Sequence, residues 1–451
     1  MKRAVSSARS AVSRVLLQRQ FFVACLTTAV LIRLVWILAV DARPISDFGW
    51  YYSKGLQIAA GHGYVVTDDG FPLWKPGNPL ACPQPTAFWP VGYSGFLGTL
   101  FCATSWFIEP LLSAKLANVI FYLGIIVSMS YCTATIFSSA LAGRTCALLL
   151  AFLPNHIAYT SLTSVEIFFT FLVTSGVALL LLAEGRFRWI AFIGAGIVFG
   201  VAALTKPQAI LLPAIVLLAL YHGDWRALLR RLSIVYIGVL LCLMPWTLRN
   251  YEVFDGRFVF VSNNGGINLL IGNMPGSWGN DGQMWNKELD GIITTINDEV
   301  ERDRAARAVA LSYISENFGK VALSLPSKFV ATYLADVDGF GWNRDAAREM
   351  SISPFWLPLR IVSQLYYMML VGASLVCVWR WRQYRSRYFA LGPVVFMYFS
   401  LMYMLFFGGA RFHFPVVPWF AAYAAGLFAS GLQRTTVPAS VTAQRSMAGA
   451  R

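Results

Sequence analysis

Long apolar runs separated by short polar breaks dominate the chain from residue 21 onward. They fall at about 21–40, 112–136, 145–161, 167–183, 189–204, 207–222, 232–248, 354–379, 388–407 and 413–432. A helix needs about 20 mostly apolar residues to cross the hydrocarbon core of a bilayer. The pattern therefore predicts a polytopic α-helical membrane protein with about ten transmembrane helices. Segment 91–108 is the further candidate, which would make eleven. Its Gly92, Gly95, Gly98 and Ser105 suit an interfacial or re-entrant hairpin better than a span.

That choice fixes the orientation. Basic residues collect in cytoplasmic loops. With 91–108 left out and the N-terminus inside, half of the 36 Lys and Arg fall on the inner side, including Arg144, Arg230, Arg231, Arg380 and Arg387. Of the 22 acidic residues, only Glu184 and Asp224 join them. Counting 91–108 as a span would move Arg380–Arg387 outside. The expected organisation is a basic cytoplasmic N-terminus (1–20), a membrane module (21–249) with an outer loop at 41–110, an outer domain (250–353), C-terminal membrane helices (354–432) and a disordered cytoplasmic tail (433–451). The outer domain opens on the strand-like RFVFVS (257–262), and a polar helix is expected over about 296–317, so a small mixed domain is predicted. No internal repeat is evident.

Composition agrees. Of 451 residues, 57% are hydrophobic and 13% charged, against about 25% charged in soluble domains. The net charge of +14 does not indicate nucleic acid, because the basic residues lie in short clusters between apolar spans. The seven cysteines form no CxxC pair. Cys82 and Cys102 both fall on the expected outer side, where a disulfide and two free thiols are both open. The four scattered histidines show no metal-ligand spacing, and neither a P-loop nor a GxGxxG fingerprint is present.

Charges at a membrane edge are costly and call for a reason. Asp47, in DARPISDFGWYY, lies among aromatic residues that raise the basicity of a carboxylate. It reads as a general base or as the cap of a helix over 48–60. Glu166, in TSLTSVEIFFTFL, opens a span, and reads as a catalytic acid residue or a cap. Lys206 sits at a tight turn before Pro207, which suits the first position of a helix. It reads as a snorkelling lysine or a phosphate ligand. Arg249, Arg411 and His413 lie at matching outer edges, and an arginine fork suits a phosphate oxygen pair. Arg33, inside the first span, is a weaker candidate that pairs within the bundle. SNNGGINLLIGNMPGSWGNDG (262–282) reads as a run of turns, or as amides that meet sugar hydroxyls. Tyr51, Asn263 and Asn264 are the candidates for such substrate contact. Together these residues point to an anionic, membrane-borne substrate on the outer face.

The ordered series PISDFGWYYSKGLQIAAGHGYV, FWPVGYSGFL, TSVEIFFTFL, LTKPQAILLP, PWTLRNYEVFDGRFVFVSNNGGINLLIGNMPG and ARFHFPVVPW resembles the polyprenyl-phosphate-dependent glycosyltransferases of the membrane C-type fold, in the bacterial branch near protein O-mannosyltransferases and aminoarabinose transferases. The resemblance covers about 21–430. It implies sugar transfer from a polyprenyl-phosphate donor to a glycan, lipid or protein acceptor, inverting and without a cofactor, on the outer side of a bacterial inner membrane. It implies Asp47 as catalytic base, Glu166 as the acid that opens a later span, and Lys206 and Arg411, with Arg249, as cations at the lipid phosphate. Many relatives carry a second carboxylate where this chain has Phe48, which leaves a single base and weakens a metal role there. Two rival functions are a secondary transporter or lipid flippase, and a non-catalytic envelope scaffold. Transporters tend to bind at the bilayer midplane between repeats, whereas these candidates sit at the outer edge.

Overall fold

The protein is described by a computed structural model, which defines residues 14–67, 83–183, 188–274, 287–347, 353–384 and 386–433. The first span, α1 (Arg19–Ala39), is followed by α2 (Ser46–Ala59) and by a two-residue hairpin pairing, β1 (Val65–Val66) with β2 (Gln84–Pro85). Then come α3 (Gly92–Thr104), α4 (Pro110–Phe137), α5 (Ala140–Ala151) and α6 (Pro154–Ala158). The central spans are α7 (Val165–Leu182), α8 (Arg188–Thr205), α9 (Leu212–Tyr221) and α10 (Trp225–Val253). The outer region supplies α11 (Gly265–Gly272), α12 (Lys287–Thr295), α13 (Glu299–Glu316), α14 (Phe318–Tyr333) and α15 (Asp338–Ala346). The chain re-enters with α16 (Trp356–Trp379), α17 (Leu391–Leu405) and α18 (Val417–Gln433).

Six of these helices are long and apolar enough to cross a membrane: α1, α4, α7, α8, α10 and α16. α5 and the segment 154–161 form a further apolar pair, bent by 55° at the break between them. Three shorter apolar helices lie at 207–221, 391–405 and 417–432. These segments match the ten apolar runs of the sequence. α3 has 13 residues and so measures about 20 Å, short of the ~30 Å core. It packs along α2 instead of joining the spans.

With lipid outside, close backbone contact between small residues holds spans together. α8 and α10 meet at Gly196 and Gly238, where a Cβ on Gly196 would run into the Val235 carbonyl. At the α5–α6 break, the buried Arg33 guanidinium donates from Nη1 to the Ala151 carbonyl at 3.1 Å and from Nη2 to Leu150 at 3.4 Å. It also lies 3.6 Å from the centre of the Tyr122 ring. A cation there complements the negative end of α5. Arg33 thus pairs within the bundle.

The outer region departs from the expected mixed domain. Among the described residues, 257–262 form no strand, and the regular elements of the region are helices. The alternating RFVFVS is irregular and bends at Phe260 and Val261, with Trp246 Nε1 and Thr247 Oγ1 of α10 donating to the carbonyls of Val261 and Phe260. No second strand lies beside it. The polar helix appears as α13, and α14 packs into the membrane module against α17. Cys102 is a free thiol. Cys82, the tail after 433 and most of the 1–20 segment lie outside the described residues.

Candidate active site

Span ends of one sign of topology converge on a single cavity of about 1080 Å³. The turn after α1 brings Asp47, the start of α7 brings Glu166, the α8–α9 turn brings Lys206, and the turn before α18 brings Arg411.

The charges occur as two pairs. Arg411 Nη1 meets Asp47 Oδ2 at 2.5 Å, with both side chains mostly buried. Ser46, at a left-handed φ of 50°, donates its hydroxyl to Asp47 Oδ1 at 2.9 Å. Burial alone would push the Asp47 pKa up, but Arg411 and Ser46 hold it below the usual carboxylate range. The carboxylate is therefore engaged by side chains across the cavity and does not cap α2, which carries no side-chain cap. Lys206 Nζ lies 3.4 Å from Glu166 Oε1. Burial lowers the Lys206 pKa, and Glu166 only partly offsets this. Lys206 precedes Pro207 as expected, but it turns inward and away from lipid headgroups. Glu166 Oε2 is buried and has no hydrogen-bond partner among the described residues.

The walls divide by chemistry. Trp50, Tyr51, Phe88, Trp89 and Trp342 make an aromatic side. Ile267, Ile271, Met402, Phe406 and Phe407 make an apolar side. Gln208, Asn264, Asn268 and Ser262 supply neutral hydrogen-bonding groups. Tyr51, one of the candidate substrate contacts, packs between Trp89 and Tyr93.

Three candidates do not line the cavity. Arg249 donates to the carbonyls of Thr86 and Tyr64, each at 2.9 Å, and so fastens the β1–β2 hairpin to α10. Asn263 is buried and donates to Glu299 Oε1 at 2.6 Å. Glu299 also accepts from Thr86 Oγ1 and the Ala87 N–H, tying α13 to the hairpin loop. His413 is buried behind Arg411, against Thr332 and Asp336. Its neighbour two positions earlier faces the cavity while it faces the protein.

Conversely, Gln208, Trp89, Trp342 and Asn268 line the cavity without having been singled out. Gln208 belongs to the quoted LTKPQAILLP motif and is fixed by donating to the Tyr403 hydroxyl at 2.6 Å. Trp342 arrives on α15, more than 170 residues beyond Glu166 in sequence, and nothing local marks it. Among the described residues no group of three or more His, Cys, Asp or Glu could hold a metal ion.

Residues 100–248 match the family model described as dolichyl-phosphate-mannose-protein mannosyltransferase. No curated protein sequence matches the chain. Among solved structures, the chain is similar to the oligosaccharyltransferase of Archaeoglobus fulgidus in complex with zinc and sulfate, with a TM-score of 0.55 and 14% identity over 92% of this chain and 49% of that one. The same enzyme, AglB, in complex with an inhibitory peptide and a dolichol-phosphate aligns over 95% of this chain and 52% of that one, at the same score and identity. The chain thus spans about half the length of these relatives. ArnT from Cupriavidus metallidurans bound to undecaprenyl phosphate aligns over 92% of this chain and 79% of that one, at 17% identity and a TM-score of 0.43. The chain has the membrane C-type glycosyltransferase fold.

Proposed function

We propose that the protein transfers a sugar from a polyprenyl-phosphate donor to a hydroxyl of an envelope glycan, lipid or protein, on the outer side of a bacterial inner membrane. The observation that carries this reading is the pairing of two carboxylates with two cations, from four separate segments, around one cavity with an apolar wall and an aromatic wall. The fold, and the match of 100–248 to a family named for a lipid-phosphate sugar donor, support the same class of substrate.

In this mechanism the lipid phosphate lies between Lys206 and Arg411. The acceptor oxygen attacks the anomeric carbon as Asp47 removes its proton, and the bond from that carbon to the phosphate oxygen breaks. The bonding pair leaves with the phosphate, whose growing charge the two cations stabilise in a site of low dielectric. One displacement inverts the anomeric centre. Arg411 has two anions to serve. At rest it holds Asp47, and an arriving phosphate competes for it. Drawing Arg411 toward the donor makes Asp47 a stronger base, so donor binding prepares the base for the acceptor. Glu166 keeps Lys206 charged and in place.

The test is transfer by the purified protein in proteoliposomes, supplied with a panel of radiolabelled polyprenyl-phosphate sugars and envelope extracts. Covalent movement of label to an acceptor, with release of free polyprenyl phosphate, supports the proposal. Movement of intact donor across the bilayer without any covalent product supports the transporter reading instead.

A further inference from the structure

His413 was a candidate phosphate ligand in the sequence, and its buried surroundings give it a different task. It ends the short turn Ala410–His413, ahead of α18, that carries Arg411. Its Nδ1 lies 2.5 Å from the Thr332 carbonyl and its Nε2 lies 3.2 Å from Asp336 Oδ1. A carbonyl and a carboxylate are both acceptors, while a neutral imidazole carries one N–H. Both contacts are hydrogen bonds only when a second proton is present. The Asn155 amide decides where that proton resides. Its Oδ1 accepts the Gly339 N–H at 2.9 Å, so its Nδ2 faces the acids and donates to Asp336 Oδ1 and, at 3.0 Å, to Asp338. Asp336 Oδ1 is thus a shared acceptor. An imidazole is also a far stronger base than a carboxylate.

Aromatic packing also holds the turn, with Phe414 stacked on His156 at 3.6 Å between ring centres and Phe412 on Tyr403 at 4.8 Å. A Cβ on Gly408 would run into the Lys328 carbonyl, and one on Gly272 into the Phe406 carbonyl, so α11 and α14 grip the strand of chain leading to Arg411. Lys328 Nζ donates to Asn273 Oδ1 at 2.7 Å, and Asn273 Nδ2 donates to the Leu405 carbonyl at 2.9 Å. These contacts hold the chain before Arg411. His413 holds it after.

We infer that His413, as an imidazolium paired with Asp336, is a positioning residue that aims Arg411 at the lipid phosphate, and that donor binding weakens as this proton is lost. The inference rests on the reading of Arg411 as a donor ligand. The groups facing the ring are Asp336 after α14, Asp338 on α15, His156 on α6, Tyr333 on α14 and Tyr367 on α16, the last two with ring centres 5.9 and 5.2 Å away. Burial would push the His413 pKa down, but the hydrogen bond and charge of Asp336, helped by Asp338, raise it above the ordinary histidine value. The sign follows. The pairing is complete below the ordinary histidine pKa of about 6.5 and is lost as pH rises through the elevated value in the fold. Without the second proton, one of the two acceptors must be released, and the turn is then held from one side only.

Two measurements test this. The chain has four histidines, so ¹³C-histidine spectra of the intact protein in nanodiscs resolve them. His62→Gln and His222→Gln leave the signals of the two buried rings. His413 is expected to be charged at pH 7.5. The second measurement is the Kd of sugar-free undecaprenyl phosphate between pH 7.5 and 9.5, a range above the phosphate's own titration near 6. Wild type is expected to weaken on the order of tenfold, at the low end of coupling between two sites, following the His413 signal. His413→Gln starts weak and lacks that limb, while any contribution from Lys206 titration persists in it. A neutral His413 at pH 7.5, or a Kd unmoved while His413 titrates, overturns the inference. Failure of wild type to bind the lipid at any pH, with His413 charged as expected, overturns the donor reading of Arg411 instead.

Discussion

Replacing Asp47 by Asn isolates the base from everything else in the site. The amide is nearly isosteric: its single oxygen can still accept from Arg411, and the Ser46 hydroxyl, which donates to the other carboxylate oxygen in the wild type, can turn to accept from the new NH2, so the turn and α2 keep their shape. What is lost is the ability to take a proton. A positioned base contributes roughly 10²–10⁴-fold, which is about 2.7–5.5 kcal/mol at ~1.36 kcal/mol per decade. Donor affinity should move the other way. In the wild type Arg411 is engaged by a carboxylate at 2.5 Å, and an incoming phosphate must compete with it. With Asn at 47 that competition is gone. The expected variant therefore has kcat reduced by at least a hundredfold and a donor KM unchanged or lower. The assay is initial-rate transfer of labelled sugar from the lipid donor in membranes, with donor and acceptor varied independently.

The pH profile adds a second constraint. Arg411 depresses the Asp47 pKa in the free protein, so the pairing is present above the ordinary carboxylate value and fails as pH falls through the depressed one. The acid limb of kcat/KM reports the free enzyme, and that of kcat reports the bound complex. If the donor draws Arg411 away, the limb in kcat lies at higher pH than the limb in kcat/KM. Transfer at wild-type rate by Asp47→Asn would remove Asp47 from the mechanism. Coincident limbs would show that Arg411 never leaves it.

Other changes separate function from support. Lys206→Met strands the Glu166 carboxylate, which is 2% exposed, and breaking such a buried pair costs about 3–5 kcal/mol. The double change Lys206→Met with Glu166→Gln should recover most of the thermal stability, read by melting in detergent, while donor KM stays high. Arg249→Met should act on the fold, because Arg249 serves two loop carbonyls and no cavity atom. A loss of about 3–6 kcal/mol in stability is expected from two charge-assisted hydrogen bonds, with donor KM of the surviving fraction unchanged. Arg33→Leu removes the Arg33 donor from the buried Ala151 carbonyl at the α5–α6 bend, while the Leu150 carbonyl keeps the Tyr122 hydroxyl; at about 1–3 kcal/mol for a buried orphan, it should reduce yield of folded protein before it reduces specific activity.

The sequence carried depth well and direction poorly. Hydropathy located the spans, and the sorting of Arg against Asp and Glu assigned them to two faces, because insertion energetics depend only on how far a charge lies from the bilayer centre. Asp47, Glu166, Lys206 and Arg411 share one depth, and they also share one cavity. Arg249 and His413 share that depth and yet point elsewhere. Which way a side chain turns around its helix or within a turn depends on what packs there, and those partners come from remote segments. Arg249 turns to a hairpin pairing residues 65–66 with 84–85, and His413 turns to Asp336. The alternation in RFVFVS misled for the same reason, since a strand needs a partner edge, and among the described residues that stretch meets the end of α10, Asp298 and the Ala87–Val300 cluster, with no strand edge beside it. A charge at the right depth is therefore a candidate for either the site or its supports, and what it meets, a wall of the cavity or the supporting fold, distinguishes them. Arg249 and His413 are held in place by protein acceptors away from the cavity. Lys206 and Arg411 each meet a carboxylate across a cavity, and a carboxylate is the partner that a phosphate displaces.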